Sequence, residues 1–256
     1  MSDYSKYLWI TAISLIIAAF FVANVKINPQ LANISAIFII ALSIPCFAAM
    51  LMWLGLKKGL ASIVVLSIYA LAIETLAIIT GFPYSPFHYT DLIGAKILGY
   101  TPFTVPFAYV PLFIGCIYLA AINSENKWRL ILKSAILVLI ADLVLDPAAV
   151  ALQFWIYVYN GIFYGVPLQN FIGWIITGIL AAIVSLLLFG NELLEKKPHA
   201  LVSSFFLIIS FWTAVCLYKQ LWISGIIGVI MILFILRETQ GKIGDFSIPD
   251  PKIAKK

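Results

Sequence analysis

Charge is scarce in this sequence. Only 11% of its 256 residues are Asp, Glu, Lys or Arg, against about 25% in a soluble chain. Apolar residues make up 63%, and the mean hydropathy is +1.07. An ordinary soluble domain is excluded. Histidine is rarer still: His88 and His199 stand far apart, which argues against a His-based metal site. The three cysteines, Cys46, Cys116 and Cys216, fall inside apolar runs with no CxxC spacing. They read as inert small hydrophobes. GxGxxG, Walker A, HExxH and DDxxD-type diphosphate motifs are all missing, so no cofactor and no metal are expected. The net charge of +5 does not mark a nucleic-acid binder, because no basic cluster interleaves with aromatics. The basic residues sit at the ends of apolar runs instead.

Those runs are what the sequence has in abundance. Stretches of 18 or more apolar residues recur, each able to cross a ~30 Å hydrocarbon layer. A membrane barrel would alternate apolar and polar residues instead. The pattern predicts an all-α, polytopic transmembrane bundle of about eight spans. They fall at about 7–25, 31–56, 60–80, 104–122, 130–152, 171–189, 200–218 and 220–236. The first run is too long for a signal core and many spans follow it, so it reads as the first helix. Residues 1–240 are expected to form a single integral membrane domain, and 241–256 a polar C-terminal tail. With eight spans, thirteen of the sixteen Lys and Arg fall on the side of the termini, and Lys26, Lys96 and Lys219 on the other. Basic residues favour the cytoplasm, so both termini are expected there, in a multi-pass protein of the plasma membrane.

Two connections on the opposite side are unusual: residues 81–107, GFPYSPFHYTDLIGAKILGYTPFTVPF, and residues 153–170, QFWIYVYNGIFYGVPLQN. The second carries no charge and is dense in aromatics. Such segments are expected in the interface or folded back between helices, since irregular backbone at membrane depth must be buried in protein or line a wet cavity.

Three carboxylates fall within spans: Glu74, Asp142 and Asp146. Each costs about 2.5–3.5 kcal/mol near a helix centre. Asp142 and Asp146 are i and i+4 and share a helix face, with Gln153 near that face if the helix continues. Each acid has a structural alternative. Asp146 precedes Pro147 and could be an N-cap. Asp142 could be a satisfied interhelical hydrogen-bonding group, and Glu74 could pair with a tyrosine or Ser67. The functional alternative is proton chemistry. Two carboxylates this close in a poorly hydrated site should not both ionise, so one proton donor would stand beside one acceptor.

Aromatic residues supply a second ingredient. Trp155, Tyr157, Tyr159, Phe163, Tyr164 and Trp174 follow the aspartates, and Tyr84, Phe87, Tyr89, Tyr100 and Phe103 follow Glu74. An interfacial belt would account for some of them. Ring faces also stabilise cations by about 0.5–2 kcal/mol. A carboxylic acid in an aromatic, apolar pocket is what protonation of an isolated alkene requires. A tertiary carbocation would form, to be captured by water or by an internal alkene.

At these residues the sequence resembles the membrane carotenoid hydratases. The resemblance lies in residues 81–112 and, more specifically, in residues 142–174, DLVLDPAAVALQFWIYVYNGIFYGVPLQNFIGW. The second stretch reads D-x3-DP, then W, then G-x-[FY]-YGVP-x2-NF-x-GW. Glu74 fits the family's acidic residue ahead of the first block, and the likeness covers about residues 60–190. Departures fall at residues 83–85 (Pro-Tyr-Ser), at 100–102 (Tyr-Thr-Pro), and at Tyr109, where Trp is common in the family. They bear on the substrate end of the site. The resemblance implies a hydro-lyase of carotenoid biosynthesis, adding water to the terminal isopropylidene double bond of an acyclic carotenoid to give a tertiary alcohol. On that reading Asp142 and Asp146 are the acid/base pair, and Glu74 is an alternative acid or water-positioning group. Tyr84, Tyr89, Trp155, Tyr164, Asn170 and Trp174 contact substrate or water, with Gln169 a further water ligand. The implied partners are the substrate, the bilayer and other carotenoid-pathway membrane enzymes. Three other functions remain open: a carotenoid cyclase or isomerase using the same protonation, a proton-coupled carrier using the three acids as a relay, and a non-catalytic lipid-binding or assembly factor in which the acids are individually dispensable. A carrier often shows repeated halves, and none is visible here.

Overall fold

The computed structural model describes residues 3–26, 28–122, 124–195 and 197–248. Lys196, Lys252, Lys255 and Lys256, counted above among the basic residues, lie outside them, as does the tail from residue 249. Nine α-helices are described: α1 (Asp3–Asn24), α2 (Ala32–Leu54), α3 (Leu56–Thr80), α4 (Val105–Ile122), α5 (Lys127–Ala151), α6 (Leu168–Phe189), the single turn α7 (Glu192–Glu195), α8 (Ser203–Tyr218) and α9 (Trp222–Glu238). Four short strands lie in the two unusual connections: β1 (Phe87–Tyr89), β2 (Lys96–Ile97), β3 (Thr101–Pro102) and β4 (Trp155–Tyr157).

Among the described residues, seven helical segments are long and apolar enough to cross a membrane: α1 through α6, and α8 with the 3-10 turn that precedes it, His199–Tyr218. The protein is a multi-pass membrane protein. The eighth expected span, 220–236, is α9. It is 17 residues long, about 25 Å at 1.5 Å per residue, and shorter than the ~30 Å layer. It begins two residues later than expected, after the turn that closes α8. Gln220 sits at φ 60°, and Leu221 N–H closes back on Cys216 O at 2.8 Å.

Helix α9 nonetheless runs back along α8, and the chain beyond it returns to the start of that helix. Ser203 Oγ donates to Ile243 O at 2.5 Å, and Ala200 N–H to Asp245 O at 2.9 Å. Tyr4 of α1 meets Phe246 edge-on at 5.1 Å. Both described ends of the chain therefore lie at one end of the bundle. Helices α4 and α8 are almost wholly enclosed, while α1, α2 and α3 turn most of their residues outward. A helix that is apolar all round suits either place.

The two unusual connections meet at the opposite end. β1 pairs antiparallel with β4, Phe87 opposite Tyr157 and Tyr89 opposite Trp155. Alternation along the strands turns Phe87, Tyr89 and Tyr157 inward, while His88 and Ile156 face out. Gly81 ends α3 in the left-handed region at φ 75°, which a glycine adopts without cost. Helix α6 approaches the next turn so closely that a Cβ on Gly173 would stand 2.7 Å from Pro83 O.

The N-cap reading of Asp146 is corrected. Helix α5 continues through Pro147 to Ala151, so Asp146 is an interior residue. A proline inside a membrane helix is tolerated because the surrounding protein re-satisfies the freed groups. The helix ends two residues before Gln153, which sits at φ 60° and does not continue the aspartate face.

Candidate functional site

Helix α5 carries Asp142 and Asp146 one turn apart. Both are buried, as is Glu74 of α3. Helix α6 packs along α5 and brings Asn170, in its first turn, between the two aspartates. Asn170 Nδ2 donates to Asp142 Oδ2 at 2.8 Å and to Asp146 Oδ2 at 2.5 Å. The start of α6 is fixed in turn by Gln169 Nε2, which donates to Gly81 O at 2.9 Å.

The β1–β4 ribbon supplies the remaining donors. Tyr157 Oη donates to Asp146 Oδ2 at 2.5 Å. Tyr89 Oη, one strand away, donates to Glu74 Oε1 at 2.7 Å. Tyr109 of α4 completes the set, donating to Glu74 Oε2 at 2.5 Å. Asp142 Oδ1 is equally enclosed and has no hydrogen-bond partner among the described residues. Among the described residues every donor to these acids is neutral: phenols, one amide and, at Asp146, the Trp155 side chain. Among the described residues, no Lys or Arg pairs with any of the three. Among the described residues, no three His, Cys, Asp or Glu side chains are arranged to hold a metal ion.

The three acids line one cavity of about 470 Å³. This volume falls in the range of small-molecule sites, ~300–1,000 Å³. Its walls near the acids are aromatic. Tyr84 stacks on Trp174 at 5.2 Å and 29°, Tyr109 leans on Trp174 at 5.1 Å, and Tyr89 meets Trp155 edge-on at 5.6 Å. Such a chamber offers proton donors and acceptors and ring faces for a cation; Lys26, Asn28, Ser35 and Thr104 are the other polar residues that line the cavity.

Of the residues singled out in the sequence, Glu74, Asp142, Asp146, Tyr84, Tyr89 and Trp155 line this cavity, and so do Asn170 and Trp174. Tyr164 is placed elsewhere: its hydroxyl accepts from Ile223 N–H at the start of α9, at 3.2 Å. Gln169 is occupied at Gly81, and Ser67 is not a partner of Glu74. Sequence reasoning missed Tyr109 and Tyr157 as direct partners of the acids. Their signal was available only in part, since Tyr157 alternates with Trp155 along a strand. It also missed the wall formed by α1 and α2, which includes Val22, Val25, Phe38 and Leu42.

Over 145 residues the chain is 36% identical to bisanhydrobacterioruberin hydratase of Haloarcula japonica, covering 55% of this chain and 49% of the relative. The matched part thus spans about half the relative's length. No solved structure matches the chain. The profile of the family described as "Carotenoid biosynthesis protein" matches residues 7–235, nearly the whole membrane-embedded chain, and the protein therefore belongs to the carotenoid biosynthesis protein family.

Proposed function

We propose that this protein hydrates the terminal isopropylidene double bond of an acyclic carotenoid, giving a tertiary alcohol without a cofactor. It works in the plasma membrane with both termini cytoplasmic, as a single membrane domain. The observation that carries the reading is the convergence of three buried, cation-free carboxyl groups on one aromatic cavity. The half-length match to a carotenoid hydratase supports the same chemistry.

The two aspartates divide the work by their hydrogen bonds. Asp146 accepts from Tyr157 and Asn170, which suits a carboxylate. Asp142 has one oxygen without a donor, which suits a carboxyl that carries its proton there. Asp142 gives that proton to the less substituted alkene carbon, and the alkene π pair forms the new C–H bond. The tertiary cation left behind is stabilised by the surrounding rings. Water adds to the cation, and Asp146 takes the proton that water releases. The pair then holds one proton, as at the start, and transfer between neighbouring carboxyls resets the site. Glu74, gripped by Tyr89 and Tyr109, places a further carboxyl on the cavity wall to stabilise the cation or orient water.

The test is expression in a host that makes an acyclic carotenoid, with mass analysis of the extracted pigment. A product heavier by one or two waters, lost in Asp142→Asn, is the expected result. A pigment of unchanged mass and altered absorption would replace hydration by cyclisation or isomerisation.

A further inference from the structure

The cavity does not end at the acids. It continues to a cleft between α1 and α2, lined by Ala18 and Val22 on one side and by Ser35 and Phe38 on the other, with Phe211 and Trp212 of α8 as the floor. Both helices are fastened to α8, yet they are not packed along one another despite their short connection. The outward faces of both carry large apolar residues such as Ile13, Ile17, Ile37 and Ile44, the surface expected against lipid. Chamber and cleft together measure about 470 Å³, a drug-sized volume, and an extended forty- or fifty-carbon polyene is longer than such a site.

Resting on the hydratase reading, we propose that the α1–α2 cleft is the lateral mouth through which the polyene reaches the acids. Only its reacting end occupies the aromatic chamber. The rest of the chain lies in the cleft and runs on into the bilayer. This deepens the substrate assignment. The site recognises an isopropylidene end and a slender conjugated stem, and it does not measure the length beyond the cleft. Each binding event presents one end, so a symmetrical substrate must leave and turn before its second end reacts.

Two measurements on the full-length protein in membranes test this. In the first, Ala18→Phe and Ser35→Trp fill the cleft from α1 and α2, which carry none of the three acids. They are expected to lower hydration of the long polyene at least tenfold, while hydration of a ten-carbon alkene with the same isopropylidene end changes less than twofold. Equal loss with both substrates, or no loss with either, overturns the proposal. In the second, Ser35→Cys is labelled with a membrane-permeant maleimide, and Ile68→Cys on the outer face of α3 serves as control. Added acyclic polyene is expected to slow labelling at residue 35 and leave residue 68 unchanged. Undiminished labelling at residue 35 overturns the cleft assignment even if hydration is seen. Protection without hydration keeps the cleft and removes the hydratase reading instead.

Discussion

Exposed and buried carboxylates are handled in opposite ways in this bundle, and even at the aromatic end exposed Asp91 pairs with Lys96 at 3.5 Å. At the end that holds the chain termini, Glu192 pairs with Lys58 at 2.8 Å and Glu125 with Arg129 at 2.8 Å, all on partly exposed side chains. Glu74, Asp142 and Asp146, by contrast, are buried and meet tyrosine hydroxyls, an asparagine amide and the Trp155 side chain, all of them neutral. An ion pair holds a carboxylate in its charged form. A neutral donor leaves it able to take up a proton and give it back. The contrast is the strongest structural reason to regard the three intramembrane acids as reagents rather than as struts.

Substitutions at the two ends should therefore differ in kind. The largest effect is expected for Asp142→Asn, which keeps the shape and removes the proton. Hydration should fall about 10²–10⁴-fold, the range for a general acid, with unchanged protein level on a blot. Next is Asn170→Ala, which removes the one amide shared by both aspartates. A loss of about 10²-fold in rate is expected, as for one preorganised donor, and purified protein should still elute as a single species. Tyr109→Phe takes one donor from Glu74 and leaves a buried acceptor short by about 1–3 kcal/mol. About a tenfold slower reaction should follow, whereas Tyr164→Phe, away from the cavity, should leave the rate unchanged.

At the basic end, effects should appear in stability rather than rate. Lys197 is buried there, its Nζ donating to Ala121 O at 3.3 Å, and burial pushes its pKa down to about 8. Below that value the folded protein carries the buried charge. As pH rises above about 8 the folded lysine loses its proton while the unfolded one keeps it, so stability rises with pH. Lys197→Met should therefore raise the Tm at pH 7, with the gain shrinking at pH 9.5. Lys58→Ala, at an exposed pair, should cost less than about 1 kcal/mol and leave the pigment product unchanged.

Much of this architecture is legible in the apolar runs, because length and composition alone decide whether a helix can span. The acids were legible too, since a carboxylate inside such a run has no bland surroundings to explain it. The ribbon was not. Its strands are three residues each and lie 66 residues apart at their closest (Tyr89 and Trp155), so no local signal announces their pairing. The Asp146-Pro147 pair misled because capping chemistry is local, while the helix on both sides is held by packing on α6 and α8. The cavity wall on α1 and α2 was invisible for another reason. An apolar residue facing a polyene reads the same as one facing lipid.

The central claim is that the buried aspartates deliver a proton to an alkene and that water completes the product. Its most direct test is to incubate membranes holding this protein with an acyclic carotenoid in water enriched in oxygen-18, and to weigh the pigment. The account predicts a product heavier by one labelled water, with no such product from Asp142→Asn. A hydroxylated product whose oxygen is unlabelled, or one formed equally well by Asp142→Asn, would contradict it.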